Sequence, residues 1–204
     1  DYVNSHYVIM ATKMGQVKKT SLEQYSRPRS NGINAITIKD DDELLEAKLT
    51  NGNSQIMLAV KSGKAIRFEE NKTRPMGRNA SGVRGIRLKD NKDEVVGMIS
   101  VNDMDANILV VSENGFGKRS SLEDYRLTNR GGKGVKTISI TEKTGKLVTL
   151  KSVSDNDDLM IINKSGIAIR MQVEDLRVMG RATQGVKVIS IKAVSYTHLT
   201  LPTK

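Results

Sequence analysis

The chain repeats one pattern four times along its 204 residues, and this repetition restricts its fold more than any other feature. In each unit a short apolar segment runs into a glycine-containing turn, and these glycines recur at intervals of 48, 52 and 51 residues: Gly15, Gly63, Gly115 and Gly166. A second set keeps nearly the same step: Gly32, Gly82, Gly134 and Gly185. A period of about 50 residues is typical of repeated β modules such as propeller blades, whereas helical repeats are mostly shorter.

A single unit is predicted to contain four short antiparallel strands. It begins with four or five apolar residues, such as Ile108–Val111, which suit a buried strand. The turn glycine supplies the positive φ of a tight hairpin, and the returning strand alternates apolar and basic residues. A capping-box pattern at Thr20–Glu23 and Ser120–Glu123 predicts a short helical turn, and glycine-led segments such as Gly82–Ile86 predict a further strand. The fold is therefore predicted to be all-β, with four propeller-like antiparallel blades.

These four blades form one predicted domain over residues 1–193, with blades at about 7–55, 56–107, 108–158 and 159–193. Residues 194–204 match none of the repeats and resemble the translated read-through of a sequencing-library adapter. We expect a non-native, unpacked tail there, with no part in the fold or the function.

The composition indicates a soluble, reduced setting. The chain has no cysteine, which excludes disulfides and thiolate metal sites and fits a cytoplasmic location. Its longest apolar runs, such as Leu159–Ile162, are too short to span a membrane, and no signal peptide is visible. We therefore expect no membrane association.

Positive charge is concentrated in particular loops. The formal net charge is +10, and residues 72–89 and 126–136 contain six and four basic residues, respectively, with no acidic one. A merely solvated surface usually mixes both signs, so the recurrence of basic loops predicts a continuous basic rim that binds a polyanion. The predicted phosphate contacts are Lys18, Lys19, Arg27, Arg29, Arg74, Arg78, Arg84, Lys118, Arg119, Arg126, Arg130, Lys133, Lys136, Arg177, Arg181 and Lys187.

The low aromatic content narrows the choice of partner. Only 3% of the residues are aromatic and tryptophan is absent, which disfavours stacking on single-stranded bases and favours duplex DNA held by its phosphates. A propeller that binds other proteins is the alternative from another class, but the blades of such propellers often carry aromatic signatures.

Nothing in the chain predicts catalysis. Outside residues 194–204 the only histidine is His6, so no Ser/His/Asp set is available. The acidic clusters Asp40–Glu43 and Asp155–Asp158 are interpreted as solvated turns, so no metal site is predicted. Tyr25 and Tyr125 occupy equivalent places in two units, which indicates packing and not a DNA-cleaving nucleophile.

Two loops carry a specific resemblance. Met76–Ile86 and Met179–Ile189 share the pattern M-G-R-x-x-x-G-V-K/R-x-I. Together with Ala11–Thr20 and Glu113–Arg119, they make residues 7–192 resemble the C-terminal domain of the A subunit of bacterial DNA gyrase. The corresponding domain in the A subunit of topoisomerase IV is the close alternative.

The resemblance implies a β-pinwheel, a six-bladed disc with duplex DNA wrapped around its basic rim, of which this chain matches the third to sixth blades. It implies a role in ATP-dependent negative supercoiling, with the gyrase B subunit, together with the rest of the gyrase A subunit, as partners. ATP and Mg²⁺ would act elsewhere in a cytoplasmic, nucleoid-associated enzyme, so no cofactor is expected here. The family's gyrase box, Q-R-R-G-G-K-G, lies in the first blade and is absent, although Asn129–Gly134 resembles part of it.

Overall fold

The computed structural model describes residues 2–162 and 165–189, together with the backbone of 198–200. The described part is all-β, as predicted. Its strands are β1 (Tyr7–Thr12), β2 (Gln16–Ser21), β3 (Leu44–Thr50), β4 (Gln55–Val60), β5 (Lys64–Glu69), β6 (Val83–Arg84), β7 (Val95–Val101), β8 (Asn107–Ser112), β9 (Phe116–Ser121), β10 (Val135–Lys136), β11 (Leu147–Val153), β12 (Asp158–Ile162), β13 (Ala168–Gln172), β14 (Val186–Lys187) and β15 (His198–Thr200).

Helical structure is confined to single turns in the described residues. One α-helical turn, α1 (Tyr2–Ser5), precedes β1. A 3-10 turn follows the second hairpin strand of every unit, at Leu22–Tyr25, Glu70–Lys72, Leu122–Asp124 and Val173–Asp175. The capping-box prediction of a short helical turn is thus confirmed at both of its positions.

The strands form four antiparallel sheets, the same number as the predicted blades. Their strand orders are β3-β1-β2-β6 in the first, β7-β4-β5-β10 in the second, β11-β8-β9-β14 in the third and β15-β12-β13 in the fourth. Strand β7 contacts both β3 and β11, so we call β3, β7 and β11 the inner strands, where neighbouring sheets meet. Strands β6, β10 and β14 lie at the opposite edges and are called the outer strands.

The turn glycines lie in alike positions, as their spacing predicts. Gly15, Gly63 and Gly115 have φ values of +82°, +82° and +76°. Their carbonyl oxygens accept hydrogen bonds from the next unit, from the amides of Gly85, Thr137 and Val188 at 2.8 to 2.9 Å. Each hairpin turn therefore also holds the segment that begins beyond the following outer strand.

The units exchange strands, which the sequence does not indicate. Outer strand β6 belongs to the second repeat but pairs with β2 of the first, and β10 and β14 likewise pair with β5 and β9 of the preceding unit. The prediction that each blade takes its four strands from one contiguous unit is therefore wrong. A two-residue strand has too little pattern to specify which edge it joins, so its partner is set by the tertiary arrangement.

The core lies between adjacent sheets. Ile9, Leu58 and Phe68 belong to the cluster between the first and second sheets. A second cluster joins the second and third sheets and a third joins the third and fourth, with Ile108 and Leu159 as fully buried members. Each such side chain contributes roughly 1.5–3 kcal/mol on burial, so the sheets stabilise one another mainly by face-to-face packing.

One prediction about the tail is wrong. Residues His198–Thr200 form β15 and pair with β12, with Ile161 opposite Leu199. Strand β15 takes the place beside β12 that an inner strand takes in the other sheets, where it supplies partners for backbone groups of β12. The other residues of 194–204 lie outside the described part.

Candidate nucleic-acid interface

The outer strands present one cation at the same place in three successive sheets. Val83, Val135 and Val186 pair with Val17, Ala65 and Gly117, each two residues after a turn glycine. The next residue in each outer strand is exposed and basic: Arg84, Lys136 and Lys187. The repeat thus produces a row of equivalent positive charges along the outer edge.

A second row follows the 3-10 turns. Arg74, Arg126 and Arg177 are exposed and stand at equivalent positions just beyond these turns. The residue after each of them forms a parallel bridge to the preceding sheet, at Lys19–Pro75, Arg67–Leu127 and Arg119–Val178. These bridges fix the backbone beside each arginine.

Nine of the sixteen predicted phosphate contacts are exposed, namely Arg27, Arg29, Arg74, Arg84, Arg126, Lys133, Lys136, Arg177 and Lys187.

Three of the predicted phosphate contacts donate hydrogen bonds to backbone carbonyl oxygens of the preceding unit. We call them the clamp arginines: Arg78, Arg130 and Arg181. Arg130 donates from Nη1 to the carbonyl oxygen of Arg84 at 3.0 Å and from Nε to that of Lys72 at 2.9 Å. Arg181 does the same with Lys136 at 2.8 Å and Asp124 at 2.9 Å. A guanidinium has five N–H donors, so part of each half-buried side chain stays available to a phosphate.

The third member of this set shows the same arrangement in part. Arg78 donates from Nη1 to the carbonyl oxygen of Asn34 at 3.0 Å. Asn34 is the residue of the first unit that corresponds to Arg84 and Lys136 by its distance from the second glycine. These arginines therefore hold each basic loop against the preceding unit in addition to adding charge.

Lys18 and Lys118 do not reach the surface, so their predicted phosphate contacts are wrong. Both are fully buried, with 0% exposure. The Nζ of Lys118 donates to the carbonyl oxygen of Gly180 at 2.6 Å and to Oγ1 of Thr183 at 3.2 Å. Lys18 donates to the carbonyl oxygens of Ala35, at 2.5 Å, and Arg78. Burial is the main cause that lowers the pKa of each ammonium to about 8.

Lys19 and Arg119 are also buried, at 4% and 6% exposure, and their predicted phosphate contacts are likewise wrong. The Nζ of Lys19 lies 3.1 Å from Oε1 of Glu70. Arg119 pairs with Asp155 and donates to the carbonyl oxygen of Leu176. In both cases the cation bonds to a residue of the next unit and so joins the two units.

In the second sheet the position that corresponds to Lys19 and Arg119 also carries a cation that bonds to the next unit. Arg67 donates from Nη1 to the carbonyl oxygens of Leu122 and Tyr125, at 2.9 and 3.0 Å, on either end of the next 3-10 turn. Sequence reasoning did not identify Arg67. A usable signal was present, because consecutive strand residues point to opposite faces, so Lys18 and Lys19 cannot both lie on one wet face.

The loop that resembles the gyrase box differs from its two counterparts. Its backbone is held by Gly131, whose amide donates to Gly85 at 2.6 Å, and by Gly132, which accepts from the amide of Arg87 at 2.8 Å. Below it, Ile66 replaces the buried lysine of the first and third sheets, and a cavity of about 140 Å³ remains. Lys133 is exposed on this loop.

The remaining chemistry-bearing groups are occupied in packing. The hydroxyl of buried Tyr125 lies 2.5 Å from Oγ1 of Thr137, and burial raises its pKa to about 12. Tyr25 donates to the carbonyl oxygen of Ala35 at 3.3 Å. In the described ranges, no group of three or more metal-ligating side chains occurs and no helix is long and apolar enough to cross a membrane.

Two DNA gyrase A subunits are similar to this chain in sequence. The DNA gyrase A subunit of Staphylococcus epidermidis (strain ATCC 12228 / FDA PCI 1200) is 45% identical over 186 residues, which cover 91% of this chain. The DNA gyrase A subunit of Staphylococcus aureus (strain MRSA252) is 45% identical over 188 residues. The chain spans 21% of the length of either relative.

Solved structures share the fold. The C-terminal domain of DNA topoisomerase IV superposes with a TM-score of 0.90 at 24% identity, over 98% of this chain and 64% of that one. The DNA gyrase A C-terminal domain superposes with a TM-score of 0.84 at 24% identity, over 97% of this chain and 66% of that one.

The family assignment rests on a match to all four units. The family model described as DNA gyrase C-terminal domain, beta-propeller, matches residues 6–51, 55–102, 106–154 and 157–193. The basic rim is thus carried by a chain that belongs to the DNA gyrase C-terminal domain family.

Proposed function

We propose that this chain binds duplex DNA along its outer edge and bends it, as the wrapping part of a DNA gyrase that introduces negative supercoils. The observation that supports this most directly is the equal register of Arg84, Lys136 and Lys187 on three successive outer strands. The exposed row of Arg74, Arg126 and Arg177 adds a second line of charge.

The proposed binding is electrostatic and independent of base sequence. Phosphates neutralised by lysine and arginine release their counterions, which supplies the free energy of attachment. Since the inner strands bring the sheets together on one side, DNA that touches several outer edges in turn must curve. Smooth bending by 40–90° over 20–30 base pairs costs on the order of 1–6 kcal/mol, which contacts on several blades together offset.

The larger setting is part of the same proposal. The gyrase B subunit, together with the rest of the gyrase A subunit, would supply the partners, and ATP and Mg²⁺ would be used there and not by this chain. The assembled enzyme would work in the bacterial cytoplasm, on the nucleoid.

Membership of a topoisomerase IV is the second candidate. The fold is shared with a C-terminal domain of that enzyme, at a TM-score of 0.90 and 24% identity. An activity assay of the assembled enzyme distinguishes the two candidates. A gyrase is expected to introduce negative supercoils into relaxed DNA, whereas a topoisomerase IV is expected to decatenate DNA without introducing supercoils.

The direct test is a titration against duplex DNA over a range of salt concentrations. Log affinity is expected to fall linearly with log salt, with a slope of about −0.9 per phosphate neutralised. The double variant Arg84→Gln, Lys187→Gln is expected to flatten this slope by up to about two units. Lys48→Gln with Lys151→Gln, on inner strands β3 and β11, is the matched control and is expected to leave it unchanged. Salt-insensitive binding would exclude the proposal in favour of a protein-binding propeller.

A further inference from the structure

A lysine-lined cleft opens beside the hairpin turn of the second sheet. It has a volume of about 530 Å³ and lies between the β4–β5 turn, the link before β7 and the third-unit segment after β10. Five lysines line it, in addition to Lys61, which pairs with Glu94: Lys64, Lys89, Lys92, Lys136 and Lys146. Only Lys136 belongs to the predicted phosphate contacts.

Two of these lysines stand directly opposite each other. Lys64 of β5 and Lys136 of β10 are cross-strand partners. Like charges at such positions are destabilising. In the first and third sheets the outer-strand cation faces an uncharged residue, Gln16 or Phe116. The second sheet therefore pairs two cations at a position where the other two sheets pair one cation with an uncharged residue.

The acidic residues of the cleft offset only part of this charge, since two aspartates stand against six lysines in the lining. Asp93 is 5% exposed and accepts hydrogen bonds from the amide of Ser62 at 2.9 Å and its hydroxyl at 2.7 Å. Asp90 accepts from the amide of Lys92 at 2.9 Å. Within the described ranges, none of the five lysine ammonium groups forms an ion pair.

The cleft is continuous with the gyrase-box-like loop. A second depression of about 190 Å³ shares Ser62, Lys64, Lys89 and Asp93 with it, and Arg87 and Lys133 are its other charged lining residues. The backbone of Arg87 is itself tied to this loop, through its 2.8 Å bond to Gly132. Basic residues thus line the surface from the loop into the cleft and outnumber the carboxylates there.

We propose that this cleft binds backbone phosphates of duplex DNA, so that the DNA path crosses the turn end of the second sheet besides following the outer strands. This rests on the proposed function. Lysine ammonium groups suit phosphate oxygens, and a cleft lined by six lysines against two aspartates has a net positive field that attracts them. Its lining contains no aromatic ring for base stacking, with Ile138 and Ile140 as its apolar members, which favours the sugar-phosphate backbone over a nucleotide.

The test compares two triple variants of the full chain. Lys64→Gln, Lys89→Gln, Lys146→Gln removes three cleft charges. Lys39→Gln, Lys48→Gln, Lys151→Gln removes three elsewhere. In duplex titrations the cleft variant is expected to flatten the salt slope by up to about 2.7 units, and the control by none. Equal slopes for the two variants would overturn the inference.

Two further measurements make the outcome unambiguous. The thermal midpoint of the cleft variant at low salt is expected to equal or exceed that of the unmodified chain, since the Lys64–Lys136 repulsion is removed; a lower midpoint would overturn the argument from like charges. Tripolyphosphate serves as the free-anion probe. If it binds in a cleft-dependent manner while the duplex slope stays unchanged, the cleft is a free-anion site and not part of the DNA path.

Failure of this inference differs from failure of the proposed function. If Arg84→Gln, Lys187→Gln weakens duplex binding and the cleft variant does not, only the cleft is excluded. If neither variant changes the slope, the rim itself is not the DNA surface, and both proposals fall.

Discussion

The Nζ of Lys118 lies 2.6 Å from the carbonyl oxygen of Gly180, beneath the loop that carries Arg181. Lys18 makes a similar contact under the corresponding loop, to the carbonyl oxygen of Arg78 itself. In the second sheet Ile66 occupies this position, and a cavity of about 140 Å³ lies under the Asn129–Gly134 loop. The loops that carry Arg78 and Arg181 are therefore each hydrogen-bonded to a buried ammonium group. At the Asn129–Gly134 loop the equivalent side chain, Ile66, is apolar and makes no such bond.

Lys118→Met is expected to lower the free energy of unfolding by about 1–3 kcal/mol, because hydrogen bonds from a charged donor to Gly180 and Thr183 are lost. Chemical denaturation measures this change. Hydrogen exchange should also show weaker protection of the Ser139 amide, which donates to the carbonyl oxygen of Thr183. Lys39→Met, at an exposed position, is the control and is expected to change neither quantity.

The same lysine predicts a dependence of stability on pH. Burial lowers the pKa of Lys118 in the folded chain from 10.5 to about 8. Between these values the unfolded chain holds a proton that the folded chain has released, so stability rises with pH. The stability of the unmodified chain relative to Lys118→Met is expected to increase from about pH 8 to about pH 10.5 and to change little below pH 7. A difference that stays constant across this window would contradict the burial of a charged ammonium.

Arg130→Lys is expected to separate the clamp from the charge. Lysine keeps the positive charge but cannot bridge the carbonyl oxygens of Lys72 and Arg84 with a rigid fork. Stability is expected to fall by about 1–2 kcal/mol, while the salt slope of duplex binding stays within experimental error. Arg130→Gln, which loses both properties, should change both measurements. A flattened slope for Arg130→Lys would show that the guanidinium itself is needed at a phosphate.

Two glycine substitutions test the packing of the turns. Gly166→Ala places alanine at φ +80° with no described atom within 4 Å of its Cβ, and should cost about 1–2 kcal/mol. In Gly115→Ala the Cβ would lie 2.4 Å from the carbonyl oxygen of Ile189, so the loss of stability should be at least twice as large. Denaturant unfolding of both variants measures the difference. Equal losses would mean that the close approach of the next unit is unimportant.

The proposed wrapping role predicts a selective loss of activity. In a gyrase assembled from full-length proteins, exposed Arg74, Arg84, Arg126 and Lys187 are all changed to Gln; the clamp arginines are left intact. Introduction of negative supercoils is expected to be lost while relaxation by strand passage remains, because bending needs contacts on several blades together. Gel assays of the two reactions measure this. Parallel loss of both reactions, or of neither, would contradict the role of this surface.

Much of the fold could be predicted from local features. The positive φ of Gly15, Gly63 and Gly115 is a property of a tight turn, so the glycine spacing alone predicts four hairpins and an all-β fold. The absence of acidic residues from 126–136 likewise predicts a positive surface, since charge is carried by the residues themselves. Both conclusions depend on neighbours a few positions apart along the chain.

The repeat, the hairpins and the positive sign of the outer edge follow from the local residue pattern. Long-range packing is what joins outer strands β6, β10 and β14 to the preceding sheets and buries Lys18 and Lys118. Lys118, for example, is covered by a loop 62 positions away. A strand pattern states which side chains share a face, but contacts with distant segments decide whether that face meets water.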